Sequence, residues 1–492
     1  MSADDTIGFT EDGSSSSAHP SPGRTVPLSD HGNAQRLIER HGDDLRYCAG
    51  LGWLIWDGGR WKPDQTGQVM ERAKETIRSC LRAAPPEVIE IYSFWLRSES
   101  APRLRAMVQL AESDPRIAVL PSQLDASPFL FNCKNGTIDL WTGALRPHAR
   151  EDLITKIANV DYNPEAAAPR WMRFLDEITQ HDAALESYLQ RVCGYCLTGD
   201  ISEQVAFLCY GLGANGKSVL LNTLLALMGD YAGPAAPNLL LSQRNEPHPT
   251  GLADLQGRRV AVANEVEQGR TLNESLLKLI TGGDKLKARR MRQDYIEFPP
   301  TAKFFLAANH LPEVAGADYG IWRRLHVIPF KQRFEGERCD SRLEETLRGE
   351  LSGILAWAVR GCLEWSRKRL SPPPAVTEAA EEYRRDSDAL MNFLAACTCD
   401  DKNAQVSGKD LYNRYIKWCE EGNEPQISKK AFGINLKSRG YERKLVHGYA
   451  VYCGLRLHAP WGGDGWAFSS LSTDDGADQR ITGKQSPMPT QG

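Results

Sequence analysis

Residues Gly211-Leu212-Gly213-Ala214-Asn215-Gly216-Lys217-Ser218 place three glycines, a lysine and a hydroxyl at the spacing of a loop that wraps phosphate groups. Glycines let successive backbone N–H groups converge on phosphate oxygens, and a helix that starts at the lysine adds its partial positive charge. The flanks suit this: VAFLC precedes the loop as an apolar strand, and VLLNTLLALMG follows it as an apolar helix. On this reading Gly211, Gly213, Ala214, Asn215, Gly216 and Val219 line a nucleotide. Lys217 reaches its outer phosphates, and the Ser218 hydroxyl coordinates Mg²⁺. The expected cofactors are therefore ATP and Mg²⁺.

The loop alone fits a phosphotransferase as well as a motor, so the neighbouring strands matter. Val260 to Ala263 is a short apolar strand with Glu265 and Glu267 at its carboxyl end, where an open α/β sheet presents groups to a phosphate loop. Either carboxylate could orient Mg²⁺ or activate the attacking water, and the sequence leaves that division open. A further strand, AKFFLAAN, ends in Asn309, whose amide can hold a water or a γ-phosphate. Arg323 and Arg324 precede another apolar strand and could project into a neighbouring subunit's nucleotide.

Between these strands lies LLKLITGGDKLKARRMRQDYIEFPP, which reads as helix, turn, basic strand, turn and return strand. Lys285, Lys287, Arg289, Arg290 and Arg292 concentrate positive charge there, with Gln293 at the apex. Such a cluster attracts a nucleic-acid backbone without reading bases.

These groups need a scaffold. With 492 residues the chain is long enough for about three domains. Its formal net charge of -4 argues against a passive coat of nucleic acid but allows a basic channel inside an acidic exterior. The first residues have neither a basic start nor an apolar stretch, so no secretory signal is expected. The apolar runs are too short for a bilayer, so no membrane partner is expected either. Twelve cysteines without a framework suit a reducing cytoplasm, and Cys193 and Cys196 fall at helical spacing among apolar residues, which reads as packing.

Residues 1–34 and 458–492 are rich in small and polar residues and are read as flexible tails. Residues 35–160 form a mixed α+β domain with tryptophan-rich hairpins, and 161–370 a helical lead-in and the loop-bearing domain. EAAEEYRRDSDALMNFLAAC is read as one helix. It falls within 371–457, a small domain of helices followed by two strands around His447-Gly448, a winged-helix-like pattern.

Taken together, GLGANGKS, VAVANEVEQG, LLKLITGGDKLKAR, FFLAANHLP and IWRRLHVIPF resemble the superfamily 3 helicases. The resemblance is to the phage and plasmid primase-helicases related to the satellite-phage P4 and poxvirus D5 proteins. WLIWDGGRWKPD and LFNCKNGTIDLWTGALRPH look like the D5 N-terminal-type region. The resemblance implies an α/β fold: an AAA+-like phosphate-loop motor on a central parallel sheet. It implies Lys217 and Ser218 as nucleotide and Mg²⁺ contacts, Glu265 on the acidic strand and Asn309 as γ-phosphate sensor. Arg324 would be the arginine finger, with Arg323 its rival, and Asp284 and Arg289 would lead into a DNA-contacting hairpin. It further implies a homo-oligomeric, hexameric ring on single-stranded or forked DNA, commonly moving 3′ to 5′, in a bacterial cytoplasm.

Two departures stand out. Asn264 occupies a position where many relatives carry a second carboxylate, and no arrangement of acidic residues and His for nucleotide addition precedes the motor. Primers are therefore expected from a separate primase or polymerase. The alternative reading is an initiator that marks and melts an origin without processive unwinding.

Overall fold

The computed structural model describes residues 26–236, 239–242, 250–264, 269–289, 295–314, 319–422, 424, 426–447 and 449–458. Glu265, Glu267, Arg290, Arg292 and Gln293 lie outside them, as do residues 1–25 of the tail read as 1–34 and residues 459–492 of the tail read as 458–492. The first tail is shorter than expected, because a helix begins at Asp30 and buries Asn33 and Ala34. The chain divides into two compact units, 1–388 and 389–492.

The first unit opens with α1 (Asp30–His41), entered through Ser29, whose side chain accepts from the Gly32 N–H at 3.1 Å. Strands β1 (Leu45–Cys48), β2 (Gly52–Trp56) and β3 (Trp61–Pro63) form an antiparallel meander. Helices α2 (Gln68–Ala83), α3 (Ile89–Ser98) and α4 (Ala101–Ala111) follow, and β4 (Ala118–Val119) joins the edge in the order β3-β2-β1-β4. Leu37, Leu45, Ile55, Ile77 and Met107 fill the space between helices and sheet. A second meander, β5 (Leu130–Cys133), β6 (Gly136–Asp139) and β7 (Ala144–Arg146), turns through Asn135-Gly136. Its Phe131 stacks on Tyr231 at 4.8 Å, and the fully buried guanidinium of Arg259 lies over the Tyr231 ring, tying this region to the central domain.

Helices α5 (Pro169–Thr179) and α6 (Ala183–Leu197) lead into β8 (Ala206–Tyr210) and α7 (Lys217–Met228). Then come β9 (Ala232–Pro234), α8 (Thr250–Ala253), β10 (Val260–Asn264), α9 (Glu274–Gly282), the hairpin β11 (Leu286–Arg289) and β12 (Tyr295–Phe298), and β13 (Lys303–Ala308). Helix α10 (Tyr319–Trp322) precedes β14 (Leu325–Pro329), and α11 (Leu343–Gly349), α12 (Leu351–Lys368) and α13 (Pro374–Asp386) complete the unit.

Strands β14, β8, β13, β10 and β9 lie side by side in that order, all parallel. Alternate residues face opposite cores, as a pleated strand requires. Phe207, Cys209, Val260, Val262, Phe305 and Ile328 belong to a core with α5, α6, α7 and α12. Ala206, Leu208, Ala261, Phe304, Leu306 and Val327 belong to a core with α8, α9 and the hairpin. Both faces being covered explains why these strands read as continuous apolar runs. On the first face α6 and α12 cross at glycines: a Cβ on Gly194 would sit 2.0 Å from the Cys362 nitrogen. Cys193 and Cys196 pack in that layer, where burial pushes the Cys196 thiol up to about 12. Among the described residues no helix is long and apolar enough to cross a membrane.

Helix α13 packs on the first unit: the Tyr383 hydroxyl donates to Pro312 O and its ring meets Trp322 at 5.1 Å. The stretch expected as a single helix is thus two, because α13 stops at Asp386 and the second unit begins with α14 (Ala389–Cys397). Ser and Asp at the junction compete for backbone hydrogen bonds and disfavour a helix interior.

The second unit continues with β15 (Thr398–Ser407), α15 (Gly408–Gly422), α16 (Lys429–Ser438), β16 (Arg443–Val446) and β17 (Tyr449–Leu457). Its antiparallel sheet has the order β15-β17-β16, and its core is built on Phe393, Leu411, Tyr415, Phe432, Leu436 and Leu455.

Candidate nucleotide site and basic hairpin

β8 has later strands on both sides, so a crevice opens at its carboxyl end, where open parallel sheets bind ligands. The loop 211–216 fills that position and hands the chain to α7. Its backbone demands glycine at two places. A Cβ on Gly211 would lie 2.3 Å from Phe330 O, and one on Gly216, at φ 88°, would lie 2.7 Å from the Ile178 side chain. The loop is also pinned from β14: Phe330 N–H donates to Tyr210 O at 2.7 Å, and Phe334 N–H donates to Ala214 O at 2.7 Å. Asn215, 3% exposed, donates from Nδ2 to Phe330 O at 3.3 Å.

Lys217 is the first residue of α7 and is buried. Its Nζ donates to Gly211 O, to Asn215 Oδ1 at 3.2 Å and to Asn309 Oδ1 at 3.1 Å. Burial holds the ammonium below the ordinary lysine value. Asn309 follows β13, whose Ala308 pairs with Tyr210 of β8, so neighbouring strand ends deliver the lysine and the amide to one point. Ser218 is exposed in the first turn of α7, Val219 is half-buried, and Gly216 at the N-cap supplies no side-chain partner for the first N–H groups. β10 ends at Asn264 opposite Ala307, so the chain leaves it beside the same crevice immediately before Glu265.

Arg323 and Arg324 stand elsewhere. They precede β14, and the Arg324 carbonyl accepts from the N–H of Ala206, the first residue of β8. At about 3.3 Å per residue, a strand of five residues separates them from the loop by about 16 Å. Arg324 is half-buried and donates from Nε to Thr281 Oγ1 at 3.1 Å. Arg323 is exposed and reaches Gln204 Oε1 at 3.1 Å.

In the hairpin Leu286, Ala288 and Phe298 are buried, while Lys287, Arg289 and Tyr295 share the exposed face. Lys287 Nζ lies 5.1 Å and the Arg289 guanidinium 5.3 Å from the Tyr295 ring centre. Lys285 is exposed just before β11.

Residues 34–180 match the family model described as D5 N terminal like, and residues 385–444 match one described as Poxvirus D5 protein-like. The loop-bearing stretch 209–324 matches a family of unknown function. The chain has the D5-like domain architecture of superfamily 3 helicase-primases. A protein of Acanthamoeba polyphaga mimivirus named "Putative helicase" is 30% identical over 320 residues, covering 60% of this chain and 33% of that protein. A "Putative helicase" of invertebrate iridescent virus 3 is 25% identical over 332 residues, covering 60% and 35%. A "Putative primase" of African swine fever virus is 30% identical over 327 residues, covering 60% and 34%. The D5-like chain thus spans about a third of the length of these relatives.

Phe330 and Phe334, which pin the loop, and Tyr295, which underlies the hairpin cations, were not singled out from sequence. The two phenylalanines act through backbone atoms, which leave no side-chain signature. Tyr295 could have been found, since it sits on the return strand at the register that faces Arg289.

Proposed function

We propose that the protein is an ATP-driven replicative DNA helicase of a phage, prophage or plasmid. It works as a homo-oligomeric ring, six-membered as the resemblance implies, on single-stranded or forked DNA in a bacterial cytoplasm. The observation that carries this reading is the split placement of the charged groups. Lys217 and Asn309 meet at the carboxyl edge of the parallel sheet, whereas Arg323 and Arg324 lie at its amino edge. An arginine so placed cannot serve its own subunit's triphosphate but can serve a neighbour's, which couples hydrolysis to assembly.

On this reading the N–H groups of 211–216 and the start of α7 bind phosphates, and Lys217 exchanges its protein oxygens for phosphate oxygens. Asn309, released by that exchange, positions water against the γ-phosphate. Glu265, with Glu267 as its alternate, takes the proton of the attacking water. Among the described residues no group of three or more His, Cys, Asp or Glu could hold a metal ion. An ion that arrives on phosphates needs only one or two protein oxygens; the Ser218 hydroxyl would supply one, and Glu265 would supply another where Glu267 serves as the base. Mg²⁺ would neutralise charge on the phosphates. The exposed face of the hairpin, Lys287 and Arg289 around Tyr295, grips the DNA backbone together with Lys285 and with Arg290, Arg292 and Gln293, which follow Arg289 in the sequence. Primers come from a separate primase or polymerase.

Strand displacement on a forked DNA with no origin sequence tests this. Unwinding that needs ATP supports the helicase, and its absence alongside ATP hydrolysis sinks it. The second reading, an initiator that melts an origin, draws on the exposed Lys429, Lys430 and Lys437 of α16 and Arg443 and Lys444 of β16. A winged-helix-like unit could present these to duplex DNA, and the initiator would then open only duplexes carrying its site.

A further inference from the structure

A cleft of about 160 Å³ lies between elements that pack on the phosphate loop. The end of α5 and start of α6 contribute Ile178, Gln180 and Leu185 to its lining, the end of β14 contributes Pro329 and Lys331, and α13 contributes Ala375. Two of these elements touch the loop directly. Ile178 is the side chain that a Cβ on Gly216 would strike, and Phe330, between Pro329 and Lys331, bonds both Tyr210 and Asn215.

The α5–α6 turn is held in an unusual shape. Gln180 and His181 both take left-handed backbone angles, φ 58° and 64°, and neither is glycine. Conformations of this kind are disfavoured for residues other than glycine and persist where surrounding contacts enforce them. The contacts are present: His181 donates from its N–H to Asp176 O at 3.1 Å and pairs its ring with the Asp176 carboxylate at 2.7 Å. Asp182 accepts from the N–H groups of Ala184 and Leu185. Amid these tethers the Gln180 side-chain amide is exposed and makes no hydrogen bond among the described residues.

We infer that this cleft receives the purine base of the triphosphate held at Lys217, and that the Gln180 amide reads the edge of that base. An amide offers one acceptor and two donors, which matches the paired donor and acceptor on a purine edge. Ile178, Leu185, Pro329 and Ala375 supply apolar contact to the base, and Thr179, Asp182 and Lys331 complete the lining with polar groups. The inference rests on the nucleotide-driven reading above and deepens it by naming what selects the nucleotide.

The test uses the full chain with two substitutions, Ala375→Phe to fill the cleft and Gln180→Ala to remove the amide. KM is measured for ATP and CTP, and inorganic tripolyphosphate, which has phosphates but no base, is titrated as an inhibitor. Ala375→Phe is expected to raise KM for ATP about tenfold while the tripolyphosphate inhibition constant stays within about twofold. Gln180→Ala is expected to cut the preference for ATP over CTP in kcat/KM by about tenfold. An unchanged KM for ATP, a parallel rise in the tripolyphosphate constant, or an unaltered preference overturns the inference. A parent that hydrolyses no triphosphate overturns the helicase reading itself, whereas a parent that hydrolyses ATP and fails only these comparisons overturns the base cleft alone.

Discussion

Lys217 and Asn309 share one hydrogen bond but should fail differently when replaced. Lys217→Ala removes the ammonium from the loop and leaves Gly211 O and Asn215 Oδ1 with only backbone N–H donors. ATP hydrolysis should fall by at least about a hundredfold, with nucleotide binding weakened in a fluorescent-analogue titration. Asn309→Ala keeps the lysine and the glycine cradle, so binding should persist while kcat falls by about 10². Equal losses of binding in the two variants would contradict the sensor role. A second residue-scale expectation concerns His326 on β14, whose ring shares a 2.7 Å hydrogen bond with the Tyr188 hydroxyl. Burial lowers its pKa to about 4 from an ordinary 6.5. Between those values the unfolded chain takes up a proton that the folded chain refuses. The ring's contribution is therefore complete above pH 6.5 and lost as pH falls towards 4. Discounted for partial solvent access, the loss is about 2 kcal/mol. Urea unfolding of the parent should therefore weaken over that window by this much more than unfolding of His326→Phe, and parallel pH profiles would refute the assignment.

At the scale of elements, the hairpin is the clearest case of local pattern becoming a defined exposed surface. Burial of Leu286, Ala288 and Phe298 fixes which face points out, because a slip of one residue would invert it. Lys287→Ala and Arg289→Ala should each lower the salt slope of single-stranded DNA binding by about 0.7. Tyr295→Ala should weaken binding by about 1–3 kcal/mol if a base stacks on its ring. DNA-independent hydrolysis should survive all three, and an unaltered salt slope would remove the hairpin from the DNA path. The apolar runs at 205–209, 260–263 and 303–308 are legible as strands because both sheet faces are covered, and the glycine loop is legible because its chemistry dictates its residues. Helix α3 and strand β15 left no comparable trace. α3 keeps Ile89 and Leu96 exposed, so its apolar residues do not mark one buried face. β15 is polar throughout, with Val406 its main buried apolar side chain, and is recruited by pairing with β17. The break between α13 and α14 falls at Ser387 and Asp388, whereas the docking of Tyr383 on Pro312, between residues far apart in sequence, left no local trace.

For the whole molecule, the decisive matter is whether one protomer can complete its own site. The sheet separates Lys217 from the arginine pair by the length of a strand, and the Arg324 guanidinium already bonds Thr281 and Gly320 within its own subunit. Arg323 is the more exposed of the two, and among the described residues its guanidinium bonds only Gln204. Sequence favoured Arg324 through resemblance, whereas exposure favours Arg323, and subunit mixing can separate them. A protomer with Lys217→Ala keeps both arginines, and one with Arg323→Ala or Arg324→Ala keeps its lysine. If the finger acts in trans, mixing two inactive variants at equal amounts rebuilds about a quarter of the interfaces, so hydrolysis returns to about a quarter of the parent's. Only the true finger gives this rescue, since a merely structural arginine lost from one protomer damages that protomer's own fold, and mixing would not repair it. Failure of both arginine variants to complement the lysine variant, in rings shown by sedimentation to contain both protomers, would leave each sheet catalysing alone and dissolve the case for a ring motor.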